Sequence, residues 1–135
     1  MPNIPEVVRN EKTLKTLDKG VTASSLGKFL RGRGPYTVFA PSDSAFNKLG
    51  KDNVEELLKP ENKLRLDEFL NRHIIGHRIN FKDLKDGDKL KTMAGKEVTV
   101  TVKGKKVSID SAVILIPDVQ SSNGVIHKLD SVLIN

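Results

Sequence analysis

Cysteine and tryptophan are absent from this 135-residue chain, and aromatic residues make up only 4 % of it. Without cysteine there are no disulfides, no thiolate metal sites and no thiol nucleophile. Few aromatics argue against a single-stranded nucleic-acid platform, which stacks bases on rings. No recognition helix or zinc-finger pattern is present either, so no nucleic acid is expected as partner. No apolar run reaches the ~18–20 residues needed to span a bilayer. Met1-Pro2-Asn3 is not a charged region followed by an apolar one, so no signal peptide is visible. Repeats, linkers and low-complexity tracts are also missing, which leaves one domain over residues 4–134, large enough for a single core.

Charge is plentiful. The net charge is +6, and residues 81–106 carry eight lysines against four acids, a local balance of +4. Such a balance favours acidic partners, including anionic polysaccharide, nucleic acid or a negative cell surface, although a lysine-rich stretch is also simply a soluble face. On charge alone, the candidate partner-binding residues are Lys89, Lys91, Lys96, Lys103, Lys105 and Lys106.

Two stretches organise the rest. Tyr36–Ala40 is β-branched or aromatic and predicts a buried strand. Pro41 ends its ladder. Ser42 is a good N-cap for a short helix, with Asp43 in the first turn, Phe46 and Leu49 on the inner face, and Gly50 as terminator. Near the end, Asn123-Gly124 predicts a turn. A long strand to Ile134 then follows, in which Val125, His127, Leu129 and Leu133 share one parity.

Between them, Leu14, Leu17 and Val21, then Leu26, Phe29 and Leu30, follow helical spacing, as do Val54, Leu57 and Leu58. Leu66, Phe69, Leu70, His73 and Ile74 predict one amphipathic helix ending near Gly76, with Pro60 at its start and Glu61–Arg65 and Glu68–Arg72 pairs outside. Phe81–Leu84 suits a helical turn. Leu90–Thr92, Glu97–Lys103, Val107–Ile109 and Ala112–Ile116 predict strands, the last closed by Pro117, with Gly104 at a hairpin tip. Helices first and antiparallel strands second give an α+β fold.

The titratable candidates are His73, His77, His127, Asp43 and Asp130. A hydrolase triad would use Ser42 or Ser44, but no Gly-x-Ser-x-Gly elbow is present and Ser42 is better read as a cap. His73 and His77 have the i,i+4 spacing of a helical zinc pair, but no glutamate follows His73 and Gly76 intervenes. No catalytic residue, metal or cofactor is therefore expected. His73 and His127 lie on apolar faces, where a buried imidazole must pair both nitrogens. Asp43 and Asp130 are the expected partners in a structural hydrogen-bond network.

At these residues the chain resembles the fasciclin domain family. Tyr36–Phe46 is similar to the family's first signature, a strand running into Phe-Ala-Pro-(Ser/Thr)-Asp-x-Ala-Phe. Asn123–Leu133 is similar to its second, Asn-Gly-Val-Ile-His-x-x-Asp-x-Val-Leu. Leu70–Gly76 and Lys91–Gly95 resemble the central histidine segment and the Thr-Leu-x-Gly turn. The resemblance covers nearly the whole chain and suits a prokaryotic, single-domain member. It implies a β-sandwich or wedge of antiparallel strands with helices packed along one edge. It also implies hydrogen bonds from the family's aspartate and histidines that tie the signatures together. The function implied is a non-enzymatic, extracellular or cell-surface adhesion module, monomeric or weakly self-associating, for a cell-surface or matrix protein or an acidic polysaccharide. Three departures stand out. Arg72 replaces the tyrosine of the Tyr-His pair in animal members' adhesion motif, Asp110-Ser111 stands where Asn-Gly is usual, and Ser131 where glycine is common. The end of the central helix, with Arg72 and Arg78, is the second candidate binding surface.

Overall fold

The computed structural model describes residues Met1–Leu133. Ile134, where the expected domain and last strand end, lies outside the described residues. Three short helices open the chain: α1 (Ile4–Asn10), α2 (Lys15–Ala23) and α3 (Leu26–Phe29). Asn3 and Glu6 form a reciprocal capping box at the start of α1. Strand β1 (Tyr36–Pro41) runs into α4 (Asp43–Leu49), where Ser42 Oγ accepts from the Ala45 amide at 3.3 Å. Gly50, with φ 102°, ends α4 as its sequence position predicts. Helix α5 (Lys51–Leu57), a 3-10 turn at Pro60–Asn62 and α6 (Lys63–Asn71) complete the helical half. Of the two expected pairs on its outer side, Glu68–Arg72 forms at 3.0 Å and Glu61–Arg65 does not.

Six further strands follow: β2 (Ile74–Ile75), β3 (Lys89–Lys91), β4 (Glu97–Lys103), β5 (Lys106–Ile109), β6 (Ala112–Ser121) and β7 (Gly124–Leu129). They join β1 in one sheet of order β2-β1-β7-β6-β5-β4-β3. The expected mix of helices and strands is present, but of the expected β-sandwich or wedge the sandwich is not what forms. The sheet instead curls nearly into a barrel, and Met93 N, just beyond β3, donates to Ile74 O of edge strand β2 at 2.8 Å. Nor are all strands antiparallel, because β1 and β7 pair in parallel from Tyr36↔Gly124 to Pro41↔Leu129.

That parallel pair is buried on both faces. Val38, Ala40 and Ile126 pack with Ile4, Leu14, Leu66 and Leu70 of the helical layer. Phe39 and Leu129 pack with Ile75, Val98, Val100 and Ile109 inside the barrel. A strand pair covered on both sides favours a nearly continuous apolar sequence, which Tyr36–Pro41 comes near, whereas Gly124–Leu129 also carries His127 and Lys128. The helices therefore cover the outer face of β1 and β7.

Three boundaries differ from expectation. The central helix ends at Asn71, and Ile74–Ile75 leaves it to pair with Val38 and Thr37 of β1. Two isoleucines after a helix fit either element, and the unpaired edge of β1 decides for a strand. Strand β6 continues through Pro117, which lies in a double register shift against β7 where its missing N–H breaks no ladder bond. Asp118, in the same irregularity, has φ 58°. Strand β7 stops at Leu129, because the Asp130 amide and carboxylate turn to Val113. Asp110 also has positive φ, 53°, a conformation that the asparagine usual there tolerates equally.

Gly124 is fixed by close approach. A Cβ there would collide with the Tyr36 carbonyl oxygen and lie 2.9 Å from Ile4 Cδ1. Gly124→Ala is expected to lower stability by about 1–3 kcal/mol, the usual penalty for overpacking, measured by urea unfolding. An unchanged midpoint would mean that β1 and β7 can part at that point.

Candidate functional site

Among the described residues the buried titratable side chains are His73, His127 and Lys128. His73 follows α6 and is almost fully buried. Its Nε2 accepts from the Leu133 amide at 2.9 Å, so Nδ1 carries the proton and donates to Phe69 O at 2.9 Å. His127 lies on β7 inside the barrel and stacks on Phe39 with ring centroids 5.8 Å apart. Its Nδ1 accepts from the Asp118 amide at 3.1 Å, and Nε2 donates to Ile79 O at 2.8 Å. Burial holds the His73 pKa down at about 4, against the opposing pull of the Phe69 carbonyl. Burial likewise lowers that of His127, opposed by Ile79 O and the Asp118 charge.

The expected imidazole–aspartate pairs do not form. Asp43 Oδ1 accepts from the Thr16 amide, and Asp130 Oδ1 from the Val113 amide, both at 2.8 Å. Asp130 also lies 4.0 Å from Lys48. The four residues therefore bond to separate partners rather than to one another. Each satisfies backbone groups that strand and helix ends leave open, a demand as strict as that of the imidazoles. Ser42 Oγ is engaged by the Ala45 amide and by Ser44 Oγ at 2.9 Å. His77 is exposed and beyond the end of α6, so it shares no helix face with His73. Among the described residues no cluster of three or more histidines and carboxylates could hold a metal.

Sequence reasoning missed several buried polar groups. Asn123 does more than turn the chain: its Nδ2 donates to Leu30 O and Gly32 O, and its Oδ1 accepts from the Ile4 amide. Thr37 Oγ1 donates to His77 O and accepts from the Ile79 amide. Lys128 is buried beside Glu11 and Thr13 Oγ1. Only the Asn-Gly pair carried a local signal. The partners of Thr37 and Lys128 are set by distant segments.

The candidate cations divide. Lys89, Lys91, Lys103 and Lys106 alternate with inward residues and share the outer face of β3–β5. Lys103 stands opposite Lys106 across the β4–β5 hairpin, with Lys105 at its tip. Lys96 lies in the β3–β4 turn, at the other end of β4, and so apart from them. Beside Lys103 and Lys106, a basin of about 260 Å³ is lined also by Thr101, Ser108 and Asp110. The two arginines already have partners: Arg72 pairs with Glu68, and Arg78 donates to Gln120 Oε1 at 2.7 Å.

The chain can be set beside known proteins. A family model described as Fasciclin domain matches residues 12–135. Protein sll1483 of Synechocystis sp. is 39 % identical over 131 residues, covering 97 % of this chain and 72 % of that protein. Transforming growth factor-beta-induced protein ig-h3 of Sus scrofa is 35 % identical over 133 residues, covering 98 % of this chain but only 19 % of its own length. A solved FAS1 domain pair from the insect cell adhesion molecule fasciclin I matches with a TM-score of 0.87 at 19 % identity. It covers 99 % of this chain, which spans 51 % of that one. This last likeness is one of fold.

The two neutral imidazoles make stability depend on pH. With a native His73 pKa of about 4 and an unfolded value of 6.5, the unfolded chain takes up a proton that the native state refuses in that window. The contribution is therefore complete above about pH 6.5 and falls on acidification by roughly 1.4 kcal/mol per pH unit until about pH 4. His127 acts in the same direction. His73→Ala is expected to cost about 1–3 kcal/mol at pH 7.5, by unpairing Phe69 O and the Leu133 amide. It should also flatten the loss between pH 6.5 and 4.5 in urea titrations. A mutant with the parental slope would show that His73 is not held neutral.

Proposed function

The chain belongs to the fasciclin domain family, and on that footing we propose that it acts by binding rather than by chemistry. In this reading it is an extracellular or cell-surface adhesion module for a matrix or surface protein, or for an acidic polysaccharide. One observation carries it. His73, His127 and Ser42 are engaged with backbone, whereas Lys103, Lys105 and Lys106 are exposed and have no hydrogen-bond or ion-pair partner among the described residues. The insect protein that shares the fold is described as a cell adhesion molecule, which supports the same reading. Arg72 stands where animal members carry a tyrosine and is already paired with Glu68, which favours the lysine face over the end of α6. The lysine-rich stretch 82–106 also supports a second reading, an intracellular or secreted binding protein for an acidic ligand, an anionic polysaccharide or a nucleic acid.

A surface coated with the folded domain is expected to retain cells or matrix fractions that a surface coated with the unfolded chain does not. Raising the salt should weaken retention, because charges on the surface are screened within about 10 Å at 0.1 M. Lys103→Glu/Lys105→Glu/Lys106→Glu should abolish most of it. Retention that survives in this variant would move the contact to Arg72–Arg78. Equal retention by folded and unfolded coats would overturn the adhesion reading.

A further inference from the structure

The β4–β5 hairpin places two lysines where the fold gains nothing from them. Lys103 and Lys106 are directly opposite in register. Directly opposed residues on one face have Cβ atoms about 4.5–5.5 Å apart, and like charges there destabilise the pair. Among the described residues neither lysine forms an ion pair. Glu97 stands opposite Lys91, at the other end of β4. Asp110 Oδ1 accepts from the Thr99 amide at 2.8 Å and lies across the basin. The next rung on the same face is Thr101↔Ser108, so two hydroxyls face outward beside the two ammonium groups. The two-residue connection, with Gly104 at φ 63°, fixes the strands and hence the spacing.

We propose that this basin is a subsite for one acidic sugar unit of an anionic polysaccharide, with Lys103 and Lys106 taking its sulfate or carboxylate and Thr101 and Ser108 its hydroxyls. The proposal rests on the reading of the domain as a binding module. The volume of about 260 Å³ is of the size of a single sugar ring rather than a peptide segment. The basin lining contains no aromatic side chain on which a base could stack, and this favours a saccharide over a nucleic acid. Lys105 at the tip and Lys89 and Lys91 on the same face widen the positive field but do not line the basin.

Isothermal titration at 0.1 M salt would test it with four probes of matched length: a sulfated oligosaccharide, a carboxylated one, a neutral one and a single-stranded oligonucleotide. One or both acidic sugars should bind, and which of them does identifies the acid group. The neutral sugar should not bind, and the oligonucleotide should bind at least tenfold more weakly than the better acidic sugar. Lys103→Gln/Lys106→Gln should weaken binding about tenfold, as expected for two exposed ion pairs. Relief of the like-charge pair means that this variant melts no lower than the parent. Thr101→Val/Ser108→Ala should weaken binding several-fold without changing its salt dependence. Lys89→Gln/Lys91→Gln should change it less than twofold.

Equal binding of the oligonucleotide would overturn the proposal. So would a hydroxyl variant that binds like the parent while Lys89→Gln/Lys91→Gln loses as much as the hairpin variant, since the site would then be diffuse charge. Failure of every acidic sugar to bind, with cell retention intact, would remove the subsite and leave the adhesion reading. Sugar binding without cell retention would do the reverse.

Discussion

The parallel pairing of β1 with β7 is the constraint on which the remaining structure depends. It joins Tyr36–Pro41 to Gly124–Leu129, so the chain between them must cross over. That crossover holds α4–α6 and the rest of the sheet. The pair is buried by helices on one side and by the barrel on the other. Its two ends are held by main-chain bonds, Tyr36 N to Asn123 O at 2.9 Å and Ser42 N to Leu129 O at 3.0 Å. These faces are buried, so the polar side chains admitted there need partners. His73, Thr37, Asn123 and His127 do so, each linking segments distant in sequence.

Much of this was legible in the sequence where the signal is local. The Ser42 cap, the Gly50 terminator, the first helices and the β4–β5 hairpin depend on neighbouring residues. So does the binary pattern of Val98, Val100 and Val102. What failed was decided from far away. Ile74 and Ile75 extend a helical pattern but form β2 because β1 offers them a ladder. Pro117 looks like a strand end and is instead absorbed in a bulge, since β7 continues past it. The burial of His73 and His127 followed from parity and spacing. Their partners did not, because any of dozens of backbone groups could have met an imidazole.

The same division separates scaffold from surface. The buried histidines, the Ser42 cap and the Asn123 contacts all cluster around β1 and β7. The exposed lysines lie on β3–β5, and β6 stands between β5 and β7 in the sheet order. Changes of charge on the hairpin therefore touch none of the buried hydrogen bonds. The family's two signatures describe the scaffold, and the basic face lies outside both. Sequence can vary there without disturbing the core.

The direction of the central strand pair also has a mechanical meaning. Because β1 and β7 run the same way, tension reaching Tyr36 from the amino-terminal side and Leu129 from the carboxy-terminal side acts at opposite ends of the pair. The strands are then sheared along their length, and the evenly spaced bonds of a parallel ladder resist together rather than opening in turn. An antiparallel pair with both ends pulled from one side would unzip. The innermost element of the domain is thus also the one arranged to withstand pulling.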